Sequence, residues 1–157
     1  MLERLETELK IRGFSPRTIS TYKYHVKNFL KFINKNPSEV IEYDAKKYLA
    51  HLLSERKYSP RSANLALSAL KFFYSQIVQN RSFNEVIGPK PERKIPTVLT
   101  KDEIRKMLQS AKNPKHRLLI EFIYSSGLRV SECVSIKTTD LDFDERIGKI
   151  RHGKGNK

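Results

Sequence analysis

The chain has 157 residues, with 31 lysines and arginines against 17 acidic residues, which gives a formal net charge of +14. A single cysteine excludes a disulfide scaffold and a zinc site built from several cysteines. No apolar run approaches the roughly 20 residues that span a bilayer, and the N-terminus lacks the apolar centre of a signal peptide. We therefore expect a soluble, cytoplasmic protein whose partner is an anionic polymer, with nucleic acid as the first choice.

Apolar residues in the first half of the chain recur at helical spacing and predict a bundle of four or five helices. The first helix ends near Gly13, which suits the position just after a helix. The second opens at Ser15, and the third runs from about Tyr43 to Arg56. The fourth opens at Ser59 and a short fifth helix follows it. Serine at the N-cap and proline at the first helical position explain both serine starts.

The starts of the second and fourth helices repeat one motif. Phe14-Ser15-Pro16-Arg17-Thr18 matches Tyr58-Ser59-Pro60-Arg61-Ser62. An arginine in the first turn opposes the helix macrodipole, which favours anions at that end. A phosphate there would satisfy both the free N–H groups and the cation. We predict that Arg17 and Arg61 contact phosphate, with a tertiary ion pair as the alternative.

Basic residues gather in two stretches that contain no acid, from Leu9 to Ser38 and from Arg56 to Asn84. Four lysines stand on one face at i,i+4 spacing, where like charges repel. We interpret this lysine stripe as unfavourable unless an external anion neutralises it, which favours nucleic-acid binding over a merely solvated face. The lysine stripe consists of Lys23, Lys27, Lys31 and Lys35. The predicted DNA-binding residues are Arg17, Lys23, Lys27, Lys31, Arg61 and Lys71.

Three prolines and a high charge density mark residues 88–96 as an extended connection. We place a linker at residues 89–98. It would join a DNA-binding helical domain, residues 1–88, to a second domain, residues 99–157.

The second domain begins with a capping box formed by Thr100 and Glu103, which predicts a helix start. Another helix follows Pro114 and ends at Gly127, and a short helix comes next. Apolar residues alternate from Asp140 to Arg151 and predict two short strands around a turn. The acids in this stretch are typical of a turn rather than a metal loop, because the glycine and spacing of an EF-hand are missing.

Two basic residues of the second domain stand beside glycines. Arg129 follows Gly127, with Glu132 three residues later, and Lys154 lies between two glycines at an expected hairpin tip. Arginine offers a bidentate fork for phosphate and lysine a mobile proton donor. The residues alone equally allow Arg129 to form a structural pair with Glu132, and they favour a solvated turn lysine at Lys154.

The Gly-Leu-Arg-Val-Ser-Glu string at 127–132, followed by Gly-Lys-Gly-Asn-Lys at 153–157, resembles the tyrosine recombinase (phage integrase) family, and Xer-type recombinases most closely. The stretch at 13–22 resembles the family's core-binding domain. The resemblance implies a mostly α fold. A SAM-like bundle of four or five helices would precede the beginning of a mixed α/β catalytic domain that is cut short.

The resemblance also implies roles for individual residues. Arg129 would be the first catalytic arginine, which grips the scissile phosphate, and Glu132 the acid that braces it. Lys154 would be the general acid for the leaving 5′-hydroxyl. Double-stranded DNA would be cleaved and rejoined through a 3′-phosphotyrosine, with other recombinase protomers as partners in a tetrameric synapse. The resemblance implies neither a metal nor a nucleotide cofactor, since the cations neutralise the phosphate.

The sequence departs from this family in two ways. None of the four histidines is followed by arginine three residues later, and all seven tyrosines precede Arg129, so the nucleophile's place is not filled. We therefore expect the 157-residue chain alone neither to cleave nor to rejoin DNA. Two other hypotheses stay open: a non-catalytic DNA-binding or regulatory protein that uses the bundle alone, and an inhibitor that pairs with a full-length recombinase.

Overall fold

The computed structural model describes residues 1–92 and 95–150. For Arg81 it describes the backbone only. These residues form α-helices, short 3₁₀ and π turns and one two-stranded antiparallel sheet. The predicted fold class, a mostly α chain with the start of a mixed α/β region, is confirmed. Within the described ranges no helix combines the length and hydropathy that a transmembrane span requires.

The chain divides into two compact units, residues 1–94 and residues 95–157. We call the first the bundle and the other the second unit. The predicted linker at residues 89–98 includes this division, and its limits stay a prediction. Its first residue lies against the bundle, because the Pro89 carbonyl accepts a 2.7 Å hydrogen bond from Nδ2 of Asn64.

Four α-helices build the described part of the bundle, and the second and fourth begin at the serine caps that the sequence predicts. The third helix is slightly displaced from its predicted range, and the expected fifth helix is a 3₁₀ turn at Arg81–Glu85. A π turn, Tyr74–Val78, continues the fourth helix, and a 3₁₀ turn, Pro37–Glu39, precedes the third. The helices are α1 (Leu2–Ile11), α2 (Pro16–Ile33), α3 (Glu42–Ser54) and α4 (Pro60–Phe73).

The bundle core centres on Phe29 of α2, which is fully buried. Its ring lies edge-on to Tyr48 of α3 at 5.2 Å and to Tyr74 at 6.0 Å between centroids. Tyr74 in turn stacks on Phe83, with centroids 3.8 Å apart. Burying an aromatic side chain of this size contributes about 1.5–3 kcal/mol, so this aromatic chain ties α2, α3 and the residues after α4 together.

The second unit contains three α-helices and a small sheet among its described residues. The Thr100–Glu103 capping box is confirmed, because Glu103 accepts from the Thr100 N–H at 2.7 Å and Thr100 Oγ1 from the Glu103 N–H at 3.3 Å. The two predicted strands are also confirmed, with Leu141 opposite Gly148 in antiparallel register. The elements are α5 (Lys101–Ser110), α6 (Pro114–Ser126), α7 (Val130–Ser135), a 3₁₀ turn (Thr138–Asp140), β1 (Leu141–Asp142) and β2 (Ile147–Gly148).

Candidate DNA-binding and catalytic residues

The helix starts that carry Arg17 and Arg61 have the predicted caps. Ser15 Oγ accepts from the Thr18 N–H at 3.2 Å, and Ser59 Oγ accepts from the Ser62 N–H at the same distance. Neither first turn contains an acid, and both arginine side chains are exposed. The positive helix end and an accessible cation therefore coincide twice in the bundle. Phosphate contact by these arginines stays a prediction.

The interpretation of the lysine stripe is wrong for two of its members, because acids of neighbouring helices neutralise them. Lys23 forms an ion pair with Glu6 of α1. Lys35 lies beyond the end of α2, and its Nζ is 2.9 Å from Oδ1 of Asp44, a buried carboxylate at the start of α3. The contact with Lys35 and the hydrogen bond from the Ile41 N–H hold the pKa of Asp44 below its ordinary value against the opposing effect of burial.

The other two members of the lysine stripe differ. Lys27 and Lys31 are exposed, and neither forms an ion pair within the described ranges. Tertiary packing thus leaves half of the stripe available to an external anion. The assignments of Lys23, Lys27 and Lys31 to DNA binding stay predictions, with the stronger support at Lys27 and Lys31.

Lys71 has a structural contact that sequence reasoning missed. Its Nζ donates a 2.9 Å hydrogen bond to the carbonyl of Asn84, which links the last turn of α4 to the following 3₁₀ turn. The ammonium can still face solvent with its remaining two donors. Its role in DNA binding stays a prediction.

Arg129 and Glu132 are brought together where α6 passes into α7. Gly127 ends α6 in the left-handed conformation, with φ of 66° and its N–H bonded to the Ile123 carbonyl at 2.9 Å. The chain then extends, and Arg129 becomes the N-cap of α7. Cys133 of α7 is 3% exposed and marks the buried side of this short helix.

Glu132 holds Arg129 through both its backbone and its side chain. Oε2 accepts from the Arg129 N–H at 2.9 Å, and Oε1 accepts from Nη1 at 2.6 Å. These contacts, the backbone hydrogen bond first, lower the pKa of Glu132, so the carboxylate is charged at neutral pH. The glutamate side chain is 10% exposed and the arginine side chain 63%. The guanidinium is therefore oriented while most of its five N–H donors can still reach a ligand.

The third predicted catalytic residue, Lys154, lies outside the described residues. Within the described ranges, no group of three or more histidine, cysteine or carboxylate side chains is arranged to hold a metal ion. The Arg129–Glu132 pair presents an oriented cation that suits an oxyanion.

Comparison with known proteins places both units in one family. The family model described as the N-terminal SAM-like domain of phage integrase matches residues 1–82, and the model of the phage integrase family matches residues 97–157. The two matched ranges fall on either side of the division between the bundle and the second unit.

Individual relatives agree with the family models. A tyrosine recombinase XerA from Thermococcus kodakarensis is 33% identical, over 100% of this chain and 55% of its own length. An integrase/recombinase from Escherichia coli is 32% identical, over 100% of this chain and 47% of its own length. A crystal structure of XerA recombinase matches with 29% identity and a TM-score of 0.49, covering 99% of this chain and 56% of that one. This chain spans about half the length of the curated relatives it matches. From the matches over residues 1–82 and 97–157, the chain belongs to the phage integrase family of tyrosine recombinases.

Proposed function

We propose that this chain contributes DNA binding and part of the active site to site-specific DNA recombination. Residues 1–88 bind duplex DNA, residues 89–98 are a linker, and residues 99–157 begin the catalytic domain. The observation that carries the proposal is the Arg129–Glu132 pair, a carboxylate-held and exposed guanidinium within the segment that matches the phage integrase family.

The pair suits a scissile phosphate for a physical reason. A guanidinium that is already held in one orientation loses less conformational entropy when it binds, and it stabilises the negative charge that grows on the phosphate oxygens in the transition state. Lys154 would protonate the 5′-oxygen as it leaves the phosphorus. The attacking tyrosine and a second arginine would come from elsewhere, since all seven tyrosines precede Arg129. Other recombinase protomers, in a tetrameric synapse, would complete the assembly.

DNA binding by the bundle can be tested through its salt dependence. Each phosphate contact releases counterions, so affinity for a duplex should fall steeply as salt rises. Changing Lys27→Gln and Lys31→Gln together should reduce the slope of log affinity against log salt by up to about one unit per lysine. Lys46→Gln is the matched control, because Lys46 is exposed on α3 but pairs with Glu42. Equal slopes for all the variants would show that the contact face lies elsewhere.

The catalytic part of the proposal predicts binding without cleavage by the 157-residue chain. A suicide duplex, nicked beside the scissile phosphate, would trap a covalent adduct if any tyrosine of this chain attacked. We expect none. An adduct that survives denaturant and disappears on changing one tyrosine to phenylalanine would overturn the assignment of this chain to half of an active site.

A second candidate function, pairing with a full-length recombinase, is favoured by the apolar surface of the second unit. Phe143 is 77% exposed and Ile147, in β2, is 54% exposed. An exposed strand beside apolar side chains invites another chain. Sedimentation of a mixture with full-length XerA should then show a complex without DNA. Phe143→Asp should abolish this complex. Ile11→Asp, which changes a similarly exposed side chain in the bundle, should leave the complex intact. If the two unchanged proteins sediment as separate boundaries, without a complex, this function is excluded.

A further inference from the structure

A concave pocket of about 330 Å³ lies between α2 and α3 of the bundle, and the predicted functions do not account for it. Its volume falls within the range of roughly 300–1,000 Å³ that is usual for small ligand sites. Lys31 lines it, so the pocket adjoins the half of the lysine stripe that remains without an ion pair. Tyr58, another lining residue, directly precedes the cap of α4 that presents Arg61. The pocket is therefore continuous with the predicted DNA-binding surface.

Aromatic rings form the inner wall of the pocket. Phe32 stacks on His51, with centroids 4.6 Å apart and planes 29° from parallel. Tyr48 packs against both of them, at 5.2 Å from Phe32 and 6.4 Å from His51. Tyr48 is 3% exposed, so the bundle core holds this wall in place. A rigid aromatic wall offers an apolar face to the sugar of a nucleotide.

The rim of the pocket presents hydrogen-bond donors and positive charge. Interaction with the Tyr58 hydroxyl lowers the pKa of Tyr24, and interaction with the Tyr24 hydroxyl raises the pKa of Tyr58, an effect that the nearby Arg56 opposes. Lys31 and Arg56 supply two cations, and the lining contains no carboxylate. The acid in contact with the lining is Glu55, which is 70% exposed and lies 3.0 Å from Nδ1 of His51. Lys31 and Arg56 thus keep their positive charge available.

We propose that this pocket binds a phosphate group of the DNA backbone, held by Lys31 and Arg56, with the hydroxyl of Tyr24 as a further donor. Guanidinium and ammonium groups form charge-assisted hydrogen bonds with phosphate oxygens, and the pocket adjoins the predicted DNA-binding surface, where backbone phosphates would lie. The aromatic wall then packs against the attached sugar. The inference rests on the proposed DNA binding, and it adds Tyr24, Arg56 and Tyr58 to the contact surface.

The test compares the affinity of pocket variants of the full chain for a 30-base-pair duplex over a range of salt. Arg56→Gln should weaken binding roughly three- to tenfold and lower the salt slope by about one unit. Arg56→Lys should keep the slope, because the charge remains. Tyr24→Phe should weaken binding without changing the slope, since it removes a donor and no charge. Arg4→Gln, an exposed arginine on α1, is the matched control and should change the slope by less than Arg56→Gln.

A second measurement separates the two sources of phosphate. The ring proton signals of His51 and Tyr24 are followed by NMR during titration with the duplex and, separately, with inorganic phosphate. We expect the ring proton signals of both residues to shift when the duplex reaches the same concentration as the protein. Shifts with inorganic phosphate and none with duplex would overturn the assignment to the DNA backbone, as would no shift with either.

The outcomes also distinguish this inference from the proposed function. If Arg56→Gln and Tyr24→Phe bind the duplex as tightly as the unchanged chain, the pocket assignment is wrong and DNA binding by the bundle stands. If the unchanged chain does not bind duplex at low salt, the proposed function itself fails. Unchanged helical circular dichroism and melting temperature establish that each variant is folded.

Discussion

The bundle and the second unit differ in how they bury apolar residues. Nineteen buried hydrophobic residues form one cluster in the bundle. In the described part of the second unit, the buried hydrophobic residues are Ile104 and Cys133. The contrast is clearest between two helices of similar length, since α4 buries six residues and α6 buries none. The bundle therefore stabilises itself, whereas the described second unit does not close a core of its own.

Side-chain size and spacing explain this difference. Helix α4 places small residues at Ala63, Ala66 and Ala69, which are all fully buried and let neighbouring helices approach closely. Helix α6 carries apolar residues too, but Leu118 is 62% exposed and Tyr124 is 56% exposed. Hydrophobic composition alone does not make a core, because burial requires a packed partner surface on the same side of the helix.

The largest expected effect that tests this comparison is a cavity in the bundle. Phe29→Ala removes the ring at the centre of the aromatic chain and should lower the free energy of unfolding by about 3–5 kcal/mol. Urea unfolding followed by circular dichroism measures the change. Leu118→Ala, in α6, should shift the same transition by less than about 0.5 kcal/mol, because this side chain is exposed. Similar losses for the two variants would mean that the second unit has a core as closed as that of the bundle.

A smaller effect concerns the helix caps of the two units. Ser59→Ala removes the cap of α4 and should lower the unfolding free energy of the bundle by about 1 kcal/mol. Thr100→Ala removes the equivalent cap of α5 and should leave the transition of the bundle in place. Its effect should appear as faster hydrogen exchange at the first amides of α5. If Thr100→Ala destabilised the bundle as much as Ser59→Ala, the two units would unfold as one.

Local features of the fold could be predicted from the sequence, because neighbouring residues determine them. Ser15, Ser59 and Thr100 are caps whose partners lie three residues away. The end of α6 at Gly127 likewise follows from local sequence, and the Arg129–Glu132 pair is one of the alternatives that their spacing allows. The same locality explains why the helix starts agree with the structure.

Contacts between helices could not be predicted in this way. Glu6 is 17 residues from Lys23, and Asp44 is nine residues from Lys35. Counting acids within the basic stretch therefore missed both neutralising partners. The pocket between α2 and α3 was missed for the same reason, since its cations and hydroxyls come from α2 and from the loop before α4.

The smallest expected effect concerns pH and the contact between α1 and α2. Hydrogen bonds from Lys10 and then Lys23 lower the pKa of Glu6 from about 4.5 to about 2. Because the pKa is lower in the folded state, this contact stabilises the bundle above about pH 4.5, and the stabilisation is lost as pH falls towards 2. Lys23→Gln should raise the pKa of Glu6, measured by NMR titration of its carboxyl carbon. The free energy of unfolding of the bundle should then decrease less as pH falls from about 4.5 towards 2. Lys27→Gln is the matched control on the same helix and should leave that pKa in place. In the second unit, the pKa of Glu103 is lowered by contacts with Thr100 in its own helix start, so protonating it should loosen α5 without moving the transition of the bundle. An unchanged Glu6 pKa in Lys23→Gln would show that Lys10 alone holds this carboxylate and that α1 and α2 are joined by apolar packing only.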